Sequence, residues 1–162
     1  MTDVLNVFSG DWDEDPHPEE GWLANSRSLV PRGHSLGMSL YELRPRQTQS
    51  PYHFHHAQDE LILVLRGRPT LRTPDGEREL EPGDFVHFPK GPAGAHQVVN
   101  RTDDPALYAV GSDRVYPDVC EYPDSEKLLA MSRGQSQRGD RLWSVHQLEK
   151  AVDYFDGEEP KG

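Results

Sequence analysis

Cysteine is almost absent from this chain of 162 residues, which contains only Cys120. A single cysteine excludes a disulfide within the chain and a zinc site held by thiolates. We expect its thiol to be a small apolar packing group rather than a nucleophile. With no disulfide framework to form, a cytoplasmic location is the expectation.

Long apolar runs are also missing. The longest aliphatic run, LILVL at 61–65, is far too short to span a bilayer. The opening MTDVLNVFSG has neither the basic region nor the apolar region of a secretory signal peptide, so we expect none. Hydrophobic residues make up 34% of the chain and thin out at both ends, so the middle is expected to form the core of one domain.

Basic residues are outnumbered by acidic ones, 17 to 28, which gives a net charge of −11. Proteins that bind nucleic acid carry a basic face, and anionic membranes attract basic segments. We therefore expect no nucleic-acid partner and no membrane partner, and a small molecule is the expected ligand.

The sequence changes character along its length. GDWDEDPHPEEG at 10–21 is acidic and rich in turn formers, which indicates an extended arm. After about residue 113 the pattern of short strands weakens. We expect an acidic N-terminal arm over 1–34, a barrel over 35–115, and a C-terminal extension over 116–162 that packs on the barrel.

Short apolar segments separated by turns fill the middle of the chain. TPDG at 73–76 and EPGD at 81–84 place proline and glycine where β-turns need them. The connections are too short for crossover helices, so the pattern predicts an all-β antiparallel sandwich or small barrel. The predicted strands are MSLYEL (38–43), ELILVL (60–65), PTLRT (69–73), GEREL (76–80), FVHFP (85–89), HQVVN (96–100) and ALYAVGS (106–112).

Two segments carry further expectations. ELILVL is apolar at both parities, so one face lines the barrel and the other is covered by a second sheet, by the arm or by a dimer partner. Near the C-terminus, Val145, Leu148 and Val152 recur near helical spacing. This spacing predicts a short amphipathic helix over 144–155.

Three histidines fall within four positions of the segment PYHFHHAQDE at 51–60. On a strand, His53 and His55 point to the same side with Cα atoms about 6.5–7 Å apart, whereas His56 points away. Two imidazoles so placed can converge on one metal ion.

Two more ligands complete the set. A turn or bulge at 57–59 resets the register, so Glu60 opens the next strand with its carboxylate toward the same ion. His96 opens a separate strand and supplies the fourth ligand. Three imidazoles and one carboxylate suit divalent transition metals such as iron, manganese, nickel, copper, cobalt or zinc, and they leave coordination positions free for water or substrate.

Two spaced motifs resemble those of the cupin superfamily. The first is His53-x-His55-x4-Glu60-x6-Gly67, and the second is Gly83-x5-Pro89-x-Gly91-x4-His96-x3-Asn100. Cupins usually place two residues between that last glycine and the histidine, and this chain places four, which fits a loop lengthened by two residues. Beyond the motifs, the chain resembles a bacterial group of single-domain cupins of unassigned function.

The resemblance implies a double-stranded β-helix, or jelly-roll barrel, with a divalent metal bound by His53, His55, Glu60 and His96. It implies a metalloenzyme with oxygenase, isomerase or decarboxylase chemistry on a small molecule, or alternatively a non-catalytic module that binds a sugar or carboxylate. A homodimer is expected from the family habit. Asn100 is a candidate for a hydrogen bond behind a metal ligand, with a turn role as the alternative. His87 is a candidate for a position beside the pocket, with a surface role as the alternative.

Overall fold

Antiparallel β-strands form nearly all of the protein in the computed structural model, which describes residues 4–13, 22, 24–31, 33–132 and 142–159. Every strand pair in these ranges is antiparallel, as predicted. The strands are β1 (Ala24–Ser28), β2 (Gly37–Leu43), β3 (Phe54–His55), β4 (Glu60–Arg66), β5 (Thr70–Thr73), β6 (Gly76–Glu79), β7 (Phe85–Phe88), β8 (Gln97–Val99), β9 (Ala106–Ser112), β10 (Asp118–Tyr122), β11 (Lys127–Met131) and β12 (Trp143–Gln147).

One layer of the barrel is a five-stranded sheet in the order β1-β2-β9-β4-β7. In β4, Ile62 and Val64 point inward and are 1% exposed, while the leucines that alternate with them, at 61, 63 and 65, are half-buried. The second face of ELILVL is therefore only partly covered within a single chain. At the end of β4 the chain turns at Gly67, with φ of 78° and room for no Cβ, since one would lie 2.5 Å from the Pro105 carbonyl oxygen.

The opposite layer consists of two smaller sheets, in the orders β12-β11-β10-β3 and β6-β5-β8. A bridge between His53 and His96 connects β3 to β8, and a second bridge joins Thr48 to Val99. The two sheets thus form one continuous face across the barrel from the five-stranded sheet.

The core lies between the two layers. Burial of each large apolar side chain stabilises the fold by about 1.5–3 kcal/mol. The core residues, all at most 4% exposed, are Leu43, Ile62, Val64, Leu71, Leu80, Phe88, Val98 and Tyr108.

The predicted C-terminal helix over 144–155 is wrong. Residues Trp143–Gln147 form strand β12, and only Leu148–Lys150 make a single turn of 3-10 helix. Val145 pairs with Leu129 of β11, so strand pairing at the sheet edge overrides the helical spacing of the apolar residues.

The ends of the chain add strands to both layers. β1, within the predicted arm, pairs with β2, and β10 from the predicted extension pairs with β3. The acidic stretch at 14–20 lies outside the described residues, and the three domain boundaries stay predictions. No helix in the described ranges is long and apolar enough to cross a bilayer.

Candidate metal centre

The structure brings the four predicted ligands to one place inside the barrel. His53 precedes β3, His55 ends it, Glu60 begins β4, and His96 precedes β8. Nε2 of His55 and Nε2 of His96 each lie 3.5 Å from Oε2 of Glu60, and Nε2 of His53 lies 3.8 Å from it. Ligands about 2.1 Å from a shared tetrahedral ion are roughly 3.4 Å apart, so the three distances to Glu60 are close to those expected around one ion. The ligand atoms of His53, Glu60 and His96 all lie within 4.8 Å of one another, and His55 joins this group through Glu60.

Hydrogen bonds orient the three imidazoles alike. Nδ1 of His53 donates to the Pro51 carbonyl at 2.8 Å, and Nδ1 of His96 donates to the Gly94 carbonyl at 2.9 Å. Since a carbonyl only accepts, the proton of each neutral ring is on Nδ1 and the lone pair on Nε2 points into the site. His55 has the same arrangement with the carboxylate of Asp118 as acceptor, at 2.6 Å.

The loop before His96 is longer than in the usual motif, as expected. The additional residues form a turn of 3-10 helix at Pro92–Gly94. At Gly94 a Cβ would lie 1.8 Å from the Pro89 carbonyl oxygen, so only glycine fits this close approach. This tight loop positions His96 at the site. The His96 ring stacks on the Phe88 ring with centroids 3.8 Å apart.

Burial sets the charge of two of the histidines. It lowers the pKa of His53 to about 4, and repulsion from His55 adds to the effect. It lowers the pKa of His96 to about 3, with a further contribution from His53. Both rings are neutral near pH 7, and neutral imidazole is the form that binds a metal ion.

His55 and Glu60 shift in the opposite direction. Burial acts to lower the pKa of His55, but the hydrogen bond to Asp118 and the charge of Glu60 outweigh it, so the pKa is raised. Burial raises the pKa of Glu60, and the charge of His55 offsets this only in part. A divalent cation at this place favours the neutral imidazole and the ionised carboxylate.

Residues beside the ligands also follow the predicted parity. His56 faces outward, and its Nε2 is 3.1 Å from Oε2 of Glu121 on β10. The turn at 57–59 resets the register, as predicted, so that Glu60 faces inward.

The two supporting candidates do not reach the ligands. Asn100 is fully buried, but its amide nitrogen donates to the carbonyls of Leu43, Arg44 and Asp104, and its oxygen accepts from Thr102. These bonds hold the loop after β8. His87 lies on the outer side of β7 with its Nε2 3.1 Å from a carboxylate oxygen of Asp59, and more than half of its side chain is exposed. Asn100 is therefore a loop residue and His87 a surface residue.

Sequence reasoning missed the inner row of β10. Asp118, Cys120 and Tyr122 alternate along this strand, and Cys120 lies opposite His55 in the strand register. The Cys120 sulfur and one ring nitrogen each of His53 and His55 lie within 4.8 Å of one another. Period-two alternation was a usable signal, but two prolines around the segment obscured it.

Cys120 and Tyr122 form a neutral pair on this row. Burial raises the pKa of Cys120 to about 12 and also raises the pKa of Tyr122 above its ordinary value, and the hydroxyl and the thiol are hydrogen-bonded to each other. The Tyr122 ring stacks on His53 with centroids 6.1 Å apart. Cys120 thus lines the site, whereas the sequence predicted only a packing role for its thiol.

Comparison with known proteins places this geometry in a family. Residues 39–110 match the model of the cupin domain. Residues 39–110 form a cupin domain. The resemblance expected from the two motifs is confirmed, and so is the double-stranded β-helix architecture. No curated protein matches the sequence.

Two solved structures, one of them from the cupin superfamily, match the chain almost end to end. A sugar phosphate isomerase from Silicibacter pomeroyi is 27% identical, with a TM-score of 0.71 over 95% of this chain and 98% of that chain. A structure from Acidithiobacillus ferrooxidans, provisionally assigned as a sugar phosphate isomerase, is 26% identical, with a TM-score of 0.77 over 93% and 95% of the two chains.

A more distant neighbour shares the fold alone. The polyketide cyclase RemF from Streptomyces resistomycificus is 24% identical, with a TM-score of 0.56 over 69% of this chain and 79% of that chain.

Proposed function

We propose that this cupin is a metal-dependent enzyme acting on a small polar molecule, and that the reaction is isomerisation of a sugar phosphate. One observation carries the metal part of the proposal. Nε2 atoms of His53, His55 and His96 surround one carboxylate oxygen of Glu60, and none of the three has a hydrogen-bond partner among the described residues.

The donor set fits a divalent iron, manganese, nickel or zinc ion. Such an ion would supply Lewis acidity toward a carbonyl oxygen of a bound substrate. The four side chains would hold it, and the rings of Phe88 and Tyr122 pack on His96 and His53 and keep these imidazoles in place.

The face of β10 and β11 that carries Cys120 and Tyr122 supports a phosphate-bearing substrate. Lys127 pairs with Tyr122 in the register of β10 and β11, so both side chains lie on the inner face, and the Lys127 ammonium is 5.9 Å from the Tyr122 ring. Lys127 makes no ion pair with any described residue, which leaves its charge for a phosphate group. The similarity to the two sugar phosphate isomerases supports the same class.

A second candidate function is binding of the same ligands without turnover. Isomerisation needs a group that takes a proton from carbon, and Asp118 is the second carboxylate that faces the site. Its oxygens accept from three N–H donors, so it is not free to act as that base. This observation favours a sugar- or carboxylate-binding cupin as the alternative.

Turnover with each reconstituted metal separates the two functions. Aldose phosphates of three to six carbons are incubated with the protein, and ketose formation is followed by NMR. An isomerase converts at least one of them and loses activity in His55→Ala but not in His56→Ala. A binding protein shows a ligand-dependent rise in Tm without conversion. Absence of both effects contradicts the proposal.

We also infer a homodimer, because the outward leucines of β4 are only half-buried within a single chain. A cytoplasmic location stays a prediction from the cysteine content.

A further inference from the structure

Asp118 connects the C-terminal part of the chain to the metal centre. It begins β10, which pairs antiparallel with β3, and its side chain is completely buried. A buried carboxylate is costly unless hydrogen bonds satisfy it. The partners of Asp118 therefore show what the residue does.

Three N–H groups satisfy this carboxylate. Oδ2 accepts from Nδ1 of His55 at 2.6 Å and from Nε2 of Gln58 at 3.1 Å, and Oδ1 accepts from the backbone N–H of Ala57 at 2.8 Å. The last two partners belong to the turn that leads from His55 to Glu60. One side chain thus holds both the ring of one ligand and the turn that places the next.

His55 differs from the other two histidines in this support. Nδ1 of His53 and Nδ1 of His96 each donate to a backbone carbonyl two residues earlier, so their orientation is set locally. His55 depends on a carboxylate 63 residues away in sequence. An ionised carboxylate only accepts, so it keeps the proton on Nδ1 and leaves the Nε2 lone pair facing the site.

We propose that Asp118 is a positioning residue that fixes the tautomer and orientation of His55 and the turn before Glu60, which makes β10, a strand outside the cupin-domain match, an integral part of the metal centre. This inference rests on the proposed metal-binding function. Partners behind a metal-bound histidine typically change metal affinity by about 10–100-fold.

The chain offers a matched control on the same two strands. His56, the residue after β3, and Glu121 of β10 also form an imidazole–carboxylate pair, at 3.1 Å, but on the outer face. Asp118→Asn and Glu121→Gln are isosteric changes of equal charge. The first places an amide NH2 against at least one of the three N–H donors, whereas the second changes a partly exposed carboxylate with one imidazole partner.

The test measures Zn²⁺ and Ni²⁺ dissociation constants of the full chain by competition with a chelating indicator. We expect a loss of about 10–100-fold in Asp118→Asn and less than twofold in Glu121→Gln. Equal affinities for wild type and Asp118→Asn, with wild type binding metal, overturn the positioning role alone. Wild type that binds neither ion overturns the proposed function as well.

Imidazole 15N NMR of the metal-free wild type at pH 8.5 is a second readout that does not depend on any variant folding. We expect the proton of His55 on Nδ1. A His55 signal with the proton on Nε2 overturns the inference, because a role in stability alone does not select the tautomer.

Discussion

Two backbone hydrogen bonds join His53 and His96. The His53 N–H donates to the His96 carbonyl at 3.1 Å, and the His96 N–H donates to the His53 carbonyl at 2.8 Å. This bridge joins the two sheets of one barrel face, and it places the two imidazole centroids 4.7 Å apart. The contact that closes the fold therefore also assembles half of the candidate metal centre. Stability and metal binding are linked at this point.

Replacing one ligand should remove tight metal binding. His55→Ala deletes one of the three inward nitrogens, and we expect metal affinity to fall more than roughly 100-fold, since a direct ligand contributes more than the partner behind it. His56→Ala removes the adjacent, outward-facing ring and should leave affinity within twofold. Isothermal titration with Zn²⁺ and Ni²⁺ measures both. Similar losses in the two variants contradict the assignment of the inward row.

The metal-free protein should lose stability as the pH falls from 6.5 to 4. The pKa of His53 is 6.5 in the unfolded chain and about 4 in the folded one, and that of His96 falls to about 3. The unfolded state then binds more protons, so this stability is complete above pH 6.5 and disappears as the pH falls through the folded values. The slope approaches about 1.4 kcal/mol per pH unit for each histidine.

Urea unfolding of chelator-treated protein at several pH values measures that slope. His53→Gln should make it shallower, because it removes one of the two buried neutral imidazoles. A slope unchanged by His53→Gln shows that this ring is not held neutral in the fold.

Asn100→Ala should affect stability and not the metal. The side chain bonds three carbonyls and Thr102 in the loop after β8, so its loss leaves buried carbonyls unsatisfied and costs about 1–3 kcal/mol. Metal affinity of the folded variant should match wild type. Denaturant unfolding and metal titration on one preparation measure both quantities. A tenfold loss of metal affinity with unchanged stability would show that Asn100 supports the metal centre.

Lys127→Ala should weaken the binding of phosphorylated ligands and leave the binding of unphosphorylated ligands unchanged. An ammonium–phosphate contact contributes about 1.5–3 kcal/mol, so affinity should fall roughly 10–100-fold for a sugar phosphate and stay unchanged for the free sugar. Lys127→Arg should retain most of it. Equal effects on the two ligands, measured by thermal shift or KM, contradict a phosphate contact on the inner face of β11.

Local spacing predicted the part of the site that is local in sequence. The parity of His53, His55 and His56 and the register reset before Glu60 depend only on strand geometry and a short turn, so they could be derived from ten residues. The family motif was needed to place His96 beside the other ligands, because the segment HQVVN does not indicate which strand it pairs with.

The missing part depends on pairing between distant segments. Alternation shows that Asp118, Cys120 and Tyr122 share a face, but not that β10 pairs with β3 and turns this face toward the histidines. The same difficulty made 144–155 look helical, since the pairing of β12 with β11 leaves little trace in its apolar spacing. For Asn100 and His87 the sequence left a site role open beside a turn role and a surface role, because their hydrogen-bond partners lie in separate loops.

X-ray absorption spectroscopy at the metal edge of the Zn²⁺- or Ni²⁺-loaded protein, combined with anomalous diffraction from its crystals, tests the shared metal site most directly. We predict one ion bound by Nε2 of His53, His55 and His96 and by the Glu60 carboxylate, at about 2.0–2.2 Å. An ion held elsewhere, or by fewer than three of these four side chains, would contradict the account.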